Sequence, residues 1–173
     1  MRRLLVPLLA ALLTIPAVAG AASAGSSRAP RNFGAFLTGS QEVPPRETNA
    51  KGVAAYRVLR NGDVAFIVAT TRIENVFAAH IHCGDRGVNG PVVQLLFEGP
   101  VGAGPRQGIL STGTFDPDGL TCTFPQGTVP LLDAMRAGRT YTNVHTNDGV
   151  DPPNTGAGDF PGGEIRGQNH VLF

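Results

Sequence analysis

Beyond its first two dozen residues, the chain is a succession of short apolar-rich runs. Each is broken by Gly, Pro, Asn or Asp about every 8–15 residues, the rhythm of a β-sandwich or barrel. The runs predict strands at residues 32–37, 53–60, 64–71, 77–82, 91–97, 107–115, 139–146 and 164–173. Asn61-Gly62-Asp63 separates two of them. Asn-Gly is a strong hairpin signal, because both residues tolerate the positive φ of a type I′ turn. One helix is predicted, over residues 129–137. Thr128 can cap it, Pro130 is tolerated in its first turn, and Gly138 can end it in a left-handed conformation. The connection 147–163 is rich in Gly, Pro, Asp and Asn, and a connection of that length in a small domain is often functional. No internal repeat is apparent.

The N-terminus has a different pattern. Arg2 and Arg3 precede an apolar run over residues 4–18, and Ala22-Ser23-Ala24 supplies small residues of the kind a signal peptidase reads. This predicts a signal peptide over 1–24, a leader over 25–31 and one β domain over 32–173. The apolar run is too short and too interrupted by proline for a membrane span of roughly 20 residues. Nothing later in the chain is long and apolar enough either, and no lipobox cysteine is present. The expected location is secreted or extracytoplasmic, released or retained at the cell surface.

Composition narrows the function. The chain is 42% hydrophobic and 16% charged, with 23 Gly and 14 Pro spread along its 173 residues. That suits one domain with a real core and many turns. Thirteen of the 14 basic residues are Arg, the exception being Lys51. Removing Arg2 and Arg3 leaves 12 basic against 13 acidic side chains, a net charge of −1. No basic patch calls for nucleic acid. There is no phosphate-binding Gly-rich loop, no Gly-x-Ser-x-Gly elbow and no His-Glu-x-x-His. Glu42, Glu74, Glu98 and Glu164 are scattered, and Glu164 and Arg166 are placed to pair with each other. The chain therefore lacks a complete catalytic set.

The two cysteines, Cys83 and Cys122, read as one disulfide in an exported protein. It would tether the loop after the 77–82 strand to the segment before the helix. Two buried free thiols, or a metal–thiolate site that uses the adjacent His82, are the alternatives. Of the four histidines, His80 and His82 fall on one face of a strand, about 7 Å apart, with Ile81 turned to the core. On residues 139–146, Val144 turns inward and His145 shares a face with Tyr141 and Asn143. If the strands are neighbours, His80, His82 and His145 can meet and hold Cu(II) or Zn(II). Binding would then weaken as pH falls near about 6.5. The other reading is histidines that only hydrogen-bond backbone carbonyls. His170 reads as a surface residue, with a fourth-ligand role as the alternative. Asp85, Asp148 and Asp159 read as turn residues, with orientation of the histidines or ligation by oxygen as alternatives.

Five segments together resemble the chordin-type (CHRD) domain family. They are Phe36-Leu37-Thr38-Gly39-Ser40-Gln41-Glu42-Val43-Pro44-Pro45; Ala79-His80-Ile81-His82; Gly87-Val88-Asn89-Gly90-Pro91-Val92-Val93; Ala137-Gly138-Arg139-Thr140-Tyr141 with Asn143-Val144-His145-Thr146; and Pro161-Gly162-Gly163-Glu164-Ile165-Arg166-Gly167-Gln168. The resemblance implies an extracellular β domain; some members bind growth factors. A fainter resemblance, in the stretch from His80 to Asp85 and in residues 139–145 and 163–167, is to copper-zinc superoxide dismutase. That enzyme needs a bridging histidine and zinc histidines after its copper strand. Residues 86–138 contain no histidine, so the two-metal site is excluded while a reduced copper site is not. The expected fold is all-β, a Greek-key sandwich of Ig-like or dismutase-like type with one short helix. Two functions remain open. One is a non-catalytic module for an extracellular protein partner or a surface; the other is a copper or zinc metalloprotein, redox-active in its extreme form.

Overall fold

The computed structural model describes residues 29–173; the predicted signal peptide and most of the leader lie outside the described residues. The strands are β1 (Asn32–Thr38), β2 (Lys51–Val58), β3 (Val64–Glu74), β4 (Val76–Cys83), β5 (Val92–Glu98), β6 (Pro105–Phe115), β7 (Thr121–Phe124), β8 (Gly127–Pro130), β9 (Thr140–Thr146), β10 (Ile165–Gln168) and β11 (His170–Val171). A 3₁₀ turn (Gly39–Gln41) follows β1, and α1 (Leu131–Arg136) follows β8.

One antiparallel sheet runs in the order β5-β4-β9-β10-β1-β2-β3-β6, with β11 also against β1. The chain thus leaves the β1-β2-β3 meander, crosses to β4 and β5, and returns to lay β6 beside β3. The two edges approach one another, where the Ser111 hydroxyl donates to the Leu96 carbonyl at 2.8 Å. The result is a nearly closed Greek-key barrel; among the described residues it is all-β apart from one α-helix and a 3₁₀ turn.

Side-chain alternation divides each strand between a packed interior and an outer face. Phe33, Ala35 and Leu37 of β1, Ala54 and Tyr56 of β2, Ile81 of β4, Val144 of β9 and Ile165 of β10 are buried in the interior. Ile81 and Val144 occupy the core positions expected of them. Each contributes about 1.5–3 kcal/mol by leaving water. The interior also holds a satisfied polar chain: Tyr56 Oη meets Thr142 Oγ1 at 2.6 Å, and Thr142 donates to Asn169 Oδ1 at 2.8 Å.

Several elements differ from the sequence expectation. The β2–β3 connection is a longer loop than a two-residue turn. Only Gly62 takes positive φ, while Asn61 caps the loop by bonding Asp63 through its side chain. The helix is shorter, because Val129 and Pro130 complete an unanticipated β7–β8 hairpin and no side chain caps α1. Gly138 does end it, at φ +67°. The last segment is two short strands separated at Asn169, whose side chain is drawn inward to Thr140 and Thr142. Cys83 and Cys122 are disulfide-bonded, with Cα atoms 5.4 Å apart, and fasten the β7–β8 hairpin to the end of β4.

Candidate metal centre

The antiparallel register of β4 and β9 sets His80 against Asn143, His82 against Tyr141 and Ala78 against His145. Ile81 and Val144 face inward, so alternation turns all three histidines to the outer face. Their rings gather there. Centroids are 4.9 Å apart for His80–His145, 5.6 Å for His80–His82 and 5.7 Å for His82–His145. One nitrogen from each lies within 4.8 Å of the others.

The hydrogen bonds decide what those nitrogens are. His82 Nδ1 lies 2.9 Å from the Gly90 carbonyl, and His145 Nδ1 lies 3.0 Å from the Pro161 carbonyl. A carbonyl oxygen only accepts, so both Nδ1 atoms carry the proton and both Nε2 atoms present a lone pair. Those Nε2 atoms and His80 Nδ1 are buried with no hydrogen-bond partner. An unmade hydrogen bond at a buried polar atom costs about 1–3 kcal/mol. Three such atoms on three gathered rings are a concentrated cost that a cation would remove. Metal–nitrogen bonds of about 2.0–2.1 Å would draw the nitrogens closer than they stand here, by small ring rotations. His80, the least buried of the three, has the most room to move.

Electrostatics favour the same state. Burial holds His82 and His145 down to about 4, against the rise that their carbonyl bonds would cause. Burial also lowers His80, opposed by Glu98. His82 and His145 are therefore neutral well below the range near 6.5 expected from sequence, and His80 is shifted in the same direction. Proton competition for a metal moves to lower pH accordingly.

Loops fix the histidines from behind. Gly90 receives His82 at its carbonyl, and the Tyr141 hydroxyl accepts from its N–H at 3.1 Å. A Cβ at Gly90 would sit 1.6 Å from the Cys83 carbonyl oxygen, so no other residue fits without moving the backbone. Tyr141 stacks on His82 at 4.8 Å with an 11° interplanar angle, and the Arg166 guanidinium lies 3.4 Å over its other face. The 147–163 connection supplies the Pro161 carbonyl, so it does take part in building the centre.

The other residues singled out from sequence lie elsewhere. His170 is exposed and meets Arg86 at 3.0 Å, so the surface reading holds. Asp85 pairs with Arg139, Asp148 accepts from the Val150 N–H, and Asp159 accepts from Thr155. Glu164 and Arg166 do not pair. Glu164 accepts from Thr48, Thr146 and the Gly158 N–H, whereas Arg166 donates to Asn89 and to the Asp85 and Val88 carbonyls. The sequence reading missed Tyr141, Gly90 and Arg166 as parts of the site. Alternation already placed Tyr141 on the face of His145, which was the available signal for it.

A small disulfide-bonded β-barrel with three imidazoles converging on its outer face is the class of domain that fold and site define. Residues 33–169 match the CHRD domain, and the chain belongs to that family. No curated protein and no solved structure matches it, and the dismutase likeness rests on the residues quoted for it. Of the five segments that carry the family resemblance, two hold the histidines, on β4 and β9, and two supply the Gly90 and Pro161 carbonyls that orient them.

Proposed function

We propose that this protein is an exported, non-catalytic metal-binding domain that holds one Cu(II) or Zn(II) ion through His80, His82 and His145. One observation carries the reading. Two buried imidazoles are locked by backbone carbonyls in the tautomer that aims unpaired Nε2 atoms at a third imidazole. A purely structural histidine would satisfy itself through the carbonyl bond and would not need a second buried nitrogen left without a partner. Three neutral nitrogens with no thiolate or carboxylate favour Cu(II) over Zn(II) in the usual affinity order. Export is supported by the pattern of residues 1–24 and by the Cys83–Cys122 bond, which suits an oxidising compartment.

Calorimetric titration of the mature protein with each metal tests the proposal. The expected result is one equivalent bound, abolished in the His80/His82/His145 triple alanine variant. The absence of saturable binding at micromolar metal refutes it. A second reading, docking of an extracellular protein, is favoured by an exposed apolar row. Phe36, Val53, Ala69 and Ile109 are register neighbours across β1, β2, β3 and β6, and Phe36, Val53 and Ile109 are exposed large apolar side chains. Partner affinity that survives chelation would assign binding to this face rather than to the metal centre.

A further inference from the structure

A second polar feature lies on the far side of Tyr141 from His82. A cleft of about 250 Å³ is lined by Ser40, Glu42, Val43, Arg86, Gly87 and Arg166, among others. Arg166 is only 1% exposed. Among the described residues the ion pairs are Arg136–Asp133 and Arg139–Asp85, so this buried guanidinium has no carboxylate at ion-pair distance. Neutral oxygens of Asn89, Asp85 and Val88 take three of its N–H groups. A guanidinium has five, so two remain. A buried cation held only by neutral acceptors keeps its charge uncompensated, and such fixed donors form a preorganised anion receptor. Arg86, exposed at the mouth, adds a second cation.

Glu42 is the apparent obstacle. It lines the cleft, is 5% exposed, and its Oε1 has no hydrogen-bond partner. The Asn143 Oδ1 is likewise unpaired. Both approach the open side of Gly163: a Cβ there would stand 2.8 Å from Glu42 Oε1 and 2.6 Å from the Asn143 amide. The Asn143 side chain is thus the polar neighbour of Glu42 Oε1 across Gly163. Burial holds this carboxyl up, to about 7, against the opposing pull of Arg166, Arg46 and the Val43 backbone N–H, and with a small push from Glu164. The remaining neighbours do not reverse this. Glu164 is engaged by Thr48, Thr146 and Gly158, and the Tyr141 hydroxyl is kept neutral by burial. With Glu42 neutral, the cleft carries the charges of Arg86 and Arg166.

We propose that this cleft is an anion-binding subsite that takes a small monocarboxylate between Arg86 and Arg166, beside the Glu42 carboxyl. The planar fork of a guanidinium matches a carboxylate edge, and a monoanion sits beside Glu42 with less repulsion than a dianion. The site does not depend on the metal reading and is tested on metal-free protein.

The experiment is an amide and Arg side-chain NMR titration with acetate at constant ionic strength, at pH 5.5 and pH 8, with inorganic phosphate in parallel. Saturable shifts are expected at Val43, Gly87 and the Arg166 side chain. Affinity should fall about tenfold or more in Arg86→Ala, since a charge-assisted hydrogen bond to the anion is lost. Binding should be about tenfold or more tighter at pH 5.5 than at pH 8, because ionised Glu42 repels the anion. Glu42→Gln should bind equally at both. Retention of acetate binding in the presence of a metal chelator separates this site from the metal centre. Non-saturable shifts, an unaffected Arg86→Ala variant, a pH dependence that persists in Glu42→Gln, or binding of phosphate alone would each overturn the proposal.

Discussion

Replacing Glu42 by Gln should make the protein more stable at pH 8 and leave it nearly unchanged at pH 4. The carboxyl has an ordinary value of 4.5 in the unfolded chain and about 7 in the folded protein, where burial is the dominant cause. Between those values the folded state binds the extra proton. Stability from this group is therefore complete below about 4.5 and is lost as pH rises through 7. A shift of that size corresponds to about 3 kcal/mol at one pH unit or more above 7. Gln keeps the shape but cannot ionise. The variant should thus gain about 2–3 kcal/mol over the parent at pH 8, or about 4–12 °C in Tm for a domain of this size. Thermal unfolding followed by circular dichroism from pH 4 to 9, with the disulfide intact, measures the difference. Titration of His82 and His145 occurs in both proteins and cancels. A Tm difference that does not vary with pH, or a Glu42 carboxyl that titrates near 4.5 by carbon NMR, would refute the reasoning.

Three further outcomes follow from the site and the fold. His82→Ala and His145→Ala should each abolish tight Cu(II) binding, and His170→Ala should leave it unchanged; each of the first two should also cost about 0.5–1.5 kcal/mol in the metal-free protein through the lost carbonyl bond, read as a drop in Tm. In the metal-free protein, His82 and His145 bind protons less readily folded than unfolded, so their contribution is full above about 6.5 and is lost as pH falls toward 4; bound Cu(II) should protect against acid unfolding across that window. Gly90→Ala should destabilise the fold by more than about 2 kcal/mol and weaken metal binding, because the backbone that anchors His82 has to move; wild-type stability and affinity in that variant would contradict the close approach.

The strand pattern, the disulfide and the three histidines were legible in the sequence because each depends on local rules. Alternation with period two puts Ile81 and Val144 inside and their neighbours outside whatever the strands pair with. A pair of cysteines behind a signal-like segment is enough to expect their bond. The family segments also placed the chain correctly among CHRD domains. What the sequence left open was every relation that needs two distant segments in register. Whether β4 lies beside β9 decides if the imidazoles meet, and that depends on sheet order across some 60 intervening residues. The β7–β8 hairpin took residues from the predicted helix because the disulfide and cross-strand pairing outweigh the weak preference of a six-residue helix. Protonation was the least accessible of all. The low values at His82 and His145 and the high value at Glu42 come from desolvation, which no one-dimensional pattern reports. Glu42 and Arg166 stand 124 positions apart in the chain and face one cleft only once the barrel nearly closes.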